Sequence, residues 1–275
     1  MPAKIQSKIY RFAVYAGASF SVAVLVLIVG YILIRGIPHL SAELFAWEYN
    51  SDNVSMMPSI INTLLMTAIS LVVCVPLGIG AAIYLTEYAR RGSRLVKIVR
   101  MTAETLSGIP SIIYGLFGSL FFVVALKMGL SLISGALTLS IMVLPTVMRT
   151  TEEALLAVPD SYREGSFGLG AGRLRTTFKV VLPSAVPGIL SGVILAVGRI
   201  VGETAALIYT AGTVAKVPDS VLDSARTLAV HMYAISSEGL YINQSYATAV
   251  VLLAVVLGIN GLSSCIAKRI GRSHT

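Results

Sequence analysis

The stretch SIINTLLMTAISLVVCVPLGIGAAIYLT, residues 59–86, contains no Asp, Glu, Lys, Arg or His. About 20 apolar residues suffice to cross the hydrocarbon core of a bilayer. Backbone N–H and C=O groups in lipid must bond within their own segment, so such a run is expected to be a transmembrane helix. Pro76 inside it is expected to kink it. Working outward, five further runs of the same kind fall at about 12–34, 105–126, 128–148, 184–212 and 243–267. The link at Lys127 must then be very tight. The run from Phe12 to Ile34 follows Lys4, Lys8 and Arg11 but exceeds the roughly 7–15 residues of a signal-peptide core, so it reads as a retained first helix.

The rest of the composition agrees. Of 275 residues, 56% are hydrophobic and only 12% charged, with mean hydropathy +0.83. A soluble domain carries far more charge. The net charge of +8 would point to nucleic acid in a soluble protein, but here the basic residues flank apolar spans and report topology. Sixteen of the 21 Lys and Arg fall before span one, between spans two and three, between four and five, or after span six. The opposite loops hold Arg35, Lys127, Lys216 and Arg226. The positive-inside rule therefore places both termini in the cytoplasm. The expected organisation is a cytoplasmic N-terminus 1–11, a single transmembrane domain 12–267 with a cytoplasmic loop 151–183, and a cytoplasmic tail 268–275.

Chemistry-bearing clusters are not evident. Cys74 and Cys265 lie in apolar runs and read as small buried hydrophobes, without a disulfide or a metal. His39, His231 and His274 are scattered, and no metal-ligand spacing, catalytic triad, Walker loop or dinucleotide-binding glycine pattern is found. No catalytic residue, metal or cofactor is expected. A membrane enzyme would need convergent catalytic groups, and a secondary transporter would show an inverted repeat. Neither is visible.

Two loops between spans carry information. After span one, Trp47 and Tyr49 suit the membrane interface. After span five, Leu222, Ala225, Ala229 and Met232 have helical spacing, which fits either a short amphipathic surface helix or a plain ordered loop. The loop between spans four and five reads TEEALLAVPDSYREGSFGLGAGRLRTTFKVVLP, Thr151 to Pro183. Pro159 and Asp160 interrupt the extension of span four. Ser161 is expected to cap a new helix, with Glu164 completing a capping box. Gly168, Gly170 and Gly172 stop that helix, and Arg173–Val181 forms a second one leading to Leu182-Pro183.

This loop resembles the EAA loop of permeases from binding-protein-dependent ATP-driven (ABC) importers. That pattern is Glu-Ala-Ala, three residues, Gly, nine residues, an aliphatic residue, one residue, Leu-Pro. Glu164, Gly165, Ser166, Gly170, Val180, Leu182 and Pro183 stand in register with it. Gly165-Ser166 replaces Ala-Ala. Both are small, although Gly weakens a helix by about 0.5–1 kcal/mol. The resemblance implies that the loop docks in a groove of a separate ATPase subunit and transmits its motion.

Three further stretches resemble phosphate permeases of the PstA type: Leu106–Gly115 (LSGIPSIIYG), Pro145–Glu152 (PTVMRTTE) and Ala196–Ala206 (AVGRIVGETAA). The resemblance covers most of residues 60–212 and is weak over the N-terminus and the loop after span five. It implies an all-α fold with a type I importer permease core. It also implies a second, PstC-like permease, a PstB-like ATPase dimer and an external phosphate-binding protein, in a bacterial inner membrane. A permease for sulfate, molybdate or another small oxyanion is the alternative.

Within span five, Arg199 and Glu203 stand four positions apart and would share one helix face. An Arg at mid-depth costs about 2.5–3.5 kcal/mol on insertion scales and faces a bundle interior or water. The pair reads either as a private ion pair that lets the helix insert, or as substrate contacts. The guanidinium fork matches phosphate oxygens. Glu203 could accept a hydrogen bond from the proton that phosphate keeps near neutral pH and sulfate lacks. Acid before base is the better intrahelical order, and the reversed order here favours partners outside the helix.

Overall fold

The computed structural model describes residues 3–90 and 92–272, with side chains described from 10 to 265. Arg91, His274 and the extreme ends of both terminal segments lie outside the described residues. Among them the regular structure is entirely helical: α1 Ala3–Gly36, α2 Met57–Ile83, α3 Arg94–Ser107, α4 Ser111–Gly118, α5 Leu132–Leu156, α6 Asp160–Gly168, α7 Arg173–Thr176, α8 Leu182–Val201, α9 Ala205–Thr210, α10 Leu228–Ser237 and α11 Ile242–Arg272. Five helical segments are long and apolar enough to cross a membrane, and the bent pair α3–α4 makes six. The protein is thus an all-α, six-span membrane protein.

The first span, α1, packs on α11 and otherwise presents Phe12, Phe20, Leu25 and Leu27 outward. The core forms where α2, α5 and α8 meet. In lipid there is no hydrophobic drive between helices, so close approach and interhelical hydrogen bonds do the work. Ser70 Oγ donates to the Ala136 carbonyl at 3.2 Å, and Ser140 Oγ donates to the Ser70 carbonyl at 3.1 Å. Met66, Cys74, Leu139, Met142, Val143 and Leu207 fill the space around this contact. Pro76, Pro145 and Pro187 lie inside α2, α5 and α8, and each helix continues through its proline.

Four expectations change. The third span is not one rod: α3 and the α4 segment, which runs on through a π-helical turn at Ser119–Ala125, are bent by 103°. Pro110 takes an extended ψ of 140°. A proline also disfavours helix at the residue before it, so Ile109-Pro110 forces the break. The fourth span begins at Leu132 rather than 128, because Lys127 and Gly129 adopt φ of +55° and +66°. That is the tight link expected there. It also runs on to Leu156, so Thr151–Leu156 belong to α5. The fifth span breaks between Val201 and Ala205. Cys265 is exposed rather than buried, whereas Cys74 is buried as expected, and both thiols are free.

Candidate translocation site and coupling loop

Both helix breaks fall inside stretches singled out above, and the fold brings them together. The LSGIPSIIYG segment supplies the α3–α4 elbow, and the Tyr114 hydroxyl spans it by donating to the Leu106 carbonyl at 2.8 Å. The AVGRIVGETAA segment supplies the end of α8, the break and the start of α9. Helix α4 lies directly on α9: a Cβ added to Gly115 would stand 2.7 Å from the Ala206 Cα, so only glycine allows this approach. Discontinuous helices that meet within a span are a recurrent way to build a transport site.

At this junction Arg199 and Glu203 form no salt bridge with each other, so of the two readings the private ion pair is not present. The α8 ladder closes with Gly202 N–H on the Gly198 carbonyl at 3.3 Å and Glu203 N–H on the Ile200 carbonyl at 3.2 Å. Beyond it the chain leaves the helix, so the shared-face geometry is lost. Glu203 is 8% exposed, and its Oε1 accepts from the Ala206 N–H at 3.1 Å, in the first turn of α9. Arg199 is half-buried, makes no ion pair among the described residues, and lies within Coulombic reach of Tyr114. Asn260 of α11, which sequence reasoning passed over, stands over Gly198, and its Oδ1 is buried without a partner among the described residues. An amide in an otherwise apolar run was the available signal.

The 151–183 loop forms a helical hairpin. Its first helix is capped by Pro159 with no side-chain hydrogen bond, so the expected Ser161–Glu164 capping box does not form. Ser161 sits inside the first turn, and the acid nearest the helix start is Asp160. Glu164 is exposed. The glycine stop forms as expected: Gly170 takes φ +81°, Gly170 N–H bonds the Phe167 carbonyl at 2.9 Å, and Ala171 N–H bonds the Ser166 carbonyl at 3.1 Å. This is the Schellman closure. Ser166 Oγ and Thr176 Oγ1 then meet at 2.8 Å and close the hairpin. From Arg173 through Val201 the chain is one helical rod of 29 residues. It carries the half-buried Val180, Leu182 and Pro183 and ends beside Arg199. Tyr162, Phe167, Leu169, Leu174 and Phe178 are exposed on the hairpin, Leu169 by 92%.

Arg163 of the loop reaches back into the bundle. Arg163 pairs with Glu87 at 2.7 Å, with side-chain exposures of 16% and 11%, and donates to the Leu155 and Val158 carbonyls at 2.9 and 2.8 Å. Arg100 and Glu152 form a similar tie between α3 and α5, at 2.5 Å.

The loop after span five is built differently. Helix α10 starts at the Thr227 cap, so Leu222 and Ala225 lie outside it, and Leu228, Ala229, Val230, His231 and Ile235 are buried. It is an inserted helix rather than a surface one. Asn62 Nδ2 of α2 donates to the Lys216 and Arg226 carbonyls at 2.9 and 3.2 Å, and Leu228 N–H donates to Thr63 Oγ1 at 2.8 Å. The buried Arg226 guanidinium stands 4.8 Å from the Tyr49 ring, and that ring meets His231 edge-on at 6.1 Å. Burial, with the Arg226 charge second, pushes the His231 imidazole down to about 3.

Residues 74–273 match the family described as binding-protein-dependent transport system inner membrane component. The chain belongs to this family. It is 34% identical over 238 residues to a probable ABC transporter permease, YqgI, of Bacillus subtilis, covering 81% of each chain. It is 36% identical over 210 residues to the phosphate transport system permease PstA of Pasteurella multocida, covering 76% of this chain and 74% of that one. A PstA 1 of Mycobacterium tuberculosis is 39% identical over 150 residues, 54% of this chain and 48% of that one. Among solved structures, a bacterial alginate ABC transporter in complex with its periplasmic protein superposes with TM-score 0.70 at 16% identity over 96% of this chain and 97% of that one. The MetNI methionine transporter superposes with TM-score 0.60 at 21% identity over 78% and 94%. These likenesses establish the fold of an ABC importer permease.

Proposed function

We propose that this permease carries inorganic phosphate inward across a bacterial inner membrane, driven by ATP hydrolysis in a separate subunit. The observation that carries the reading is Arg199: a guanidinium inside an apolar span, without a salt bridge among the described residues, at the point where two broken helices meet. A cation at such a depth marks a substrate path, and its fork suits phosphate oxygens. Glu203 contributes from the same break. One carboxylate oxygen is held by the Ala206 N–H, which leaves the other to accept a hydrogen bond from the O–H that phosphate retains. The likeness to PstA relatives supports the same reading. The partners of this reading are a PstC-like permease, a PstB-like ATPase dimer docked on 151–183, and an external phosphate-binding protein. Both termini and the 151–183 loop face the cytoplasm, and 12–267 form one transmembrane domain. Uptake of radiolabelled phosphate by cells or proteoliposomes carrying the assembled complex tests it. Unlabelled phosphate should compete and equimolar sulfate or molybdate should not; competition by sulfate alone would transfer the assignment to another oxyanion.

A further inference from the structure

Among the described residues, Arg163 ties α6 of the 151–183 hairpin to the rest of the bundle through charge. Its Nη2 reaches Glu87 Oε1 at 2.7 Å and the Leu155 carbonyl at 2.9 Å; its Nη1 reaches the Val158 carbonyl at 2.8 Å and Asp160 Oδ1 at 3.3 Å. The two carbonyls lie at and just past the C-terminal end of α5, where acceptors are left over and a cation is favoured by the helix dipole. Glu87 lies in the π-helical turn Tyr84–Tyr88 that prolongs α2, closed by Ala89 N–H on the Tyr84 carbonyl at 2.9 Å. One guanidinium therefore clamps α6 to the ends of both α2 and α5. Charge-assisted bonds are roughly twice as strong as neutral ones.

The hairpin thus has two attachments. One is covalent: the chain runs in from α5 at Leu156 and out through the rod Arg173–Val201, ending beside Arg199. The other is this clamp, which leads to α2 and so, through Asn62 and Thr63, to the loop after span five. We propose that Arg163, with Glu87 as its counter-charge, is the joint that delivers movement of α6 to α2 and keeps transport coupled to ATP hydrolysis. The proposal rests on the docking reading of 151–183. Arg163 is a positioning residue: it acts through α2 and α5 and does not meet the substrate.

The test measures phosphate uptake per ATP hydrolysed by the purified complex in proteoliposomes. Arg163→Gln should assemble normally and hydrolyse ATP within about twofold of wild type, with uptake per ATP down about tenfold, the size of a typical coupling energy. Arg163→Lys, which can meet Glu87 but lacks the fork for two carbonyls, should recover part of the loss. In a Cys74→Ser, Cys265→Ser background, Glu87→Cys with Arg163→Cys should be uncoupled until a short bismaleimide bridges them, and coupled afterwards. An unchanged ratio in Arg163→Gln would overturn the proposal. So would reduced assembly with a normal ratio in what remains, or a bridged double variant that stays uncoupled. Glu164→Lys separates the two readings: if it keeps its ATPase subunits, docking fails whatever Arg163 does.

Discussion

The two loops that flank span five make opposite use of their side chains. The 151–183 hairpin leaves its apolar residues outside, with Leu169 and Leu174 exposed, and is fastened by Arg163 and by a continuous rod. The 213–241 loop buries Leu228, Ala229, Val230 and Ile235 of α10 and is fastened by its Lys216 and Arg226 carbonyls on Asn62 and its Leu228 N–H on Thr63. A surface that exposes large apolar groups in a polar loop is built to be covered by a partner. A loop that satisfies buried carbonyls with side chains from another helix is built to stay shut. The contrast predicts that damage before span five costs transport, whereas damage after it costs stability.

The largest effect should come where the rod ends. Arg199→Gln should remove uptake, by about a hundredfold or more if the guanidinium meets the anion in transit, with the complex still assembled. Because Arg199 and Glu203 are not paired, Arg199→Gln with Glu203→Gln should not recover. Full recovery of uptake per assembled complex in that double variant would show a structural pair and contradict the site.

Next come changes in the hairpin itself. Gly170→Pro cannot adopt φ +81° and loses the N–H that bonds Phe167, so it should undo the turn. Glu164→Lys reverses an exposed charge. Both should release the ATPase subunits and abolish uptake, while Glu164→Lys leaves the melting temperature of the isolated permease within the roughly 0.5 kcal/mol expected of a surface change. Transport-coupled hydrolysis in both variants would remove the coupling role.

On the other side, Asn62→Ala strands the Lys216 and Arg226 carbonyls and should cost about 2 kcal/mol or more, read as a lower melting temperature. Uptake per surviving complex should hold. A normal melting temperature with lost transport would invert the comparison.

The smallest effect is a pH dependence. His231 is neutral in the fold, pushed down to about 3 by burial and by Arg226, and titrates near 6.5 once unfolded. The unfolded chain therefore binds the extra proton between those values, so stability is complete above about 6.5 and falls as pH drops toward 3. The melting temperature of His231→Asn should decline less over that interval than that of wild type. Parallel curves would mean that His231 does not titrate on unfolding.

These differences also mark what the sequence could reveal. The spans were legible because lipid tolerates only long apolar helices, and Gly170 because a left-handed stop demands glycine. The breaks were not. Hydropathy averages across Ile109-Pro110, and the i, i+4 arithmetic for Arg199 and Glu203 assumed a helix that Gly202 ends. The spacing of Leu222 and Ala225 was read into α10, which begins only at Thr227. Ser161 lost its capping role because Pro159, with φ already fixed, starts the helix earlier. Arg163 was invisible because Glu87 is 76 positions away in the chain, and only the fold brings them together.

On the reading proposed above, the loop before span five docks the ATPase and the loop after it does not. A photo-activatable cross-linker placed at Leu169 and, separately, at Leu240, which is 78% exposed on the other loop, tests this in the purified complex, with products identified by mass spectrometry. The probe at Leu169 should capture the ATPase subunit and the probe at Leu240 should never do so. An ATPase adduct at Leu240, or none at Leu169, would contradict it.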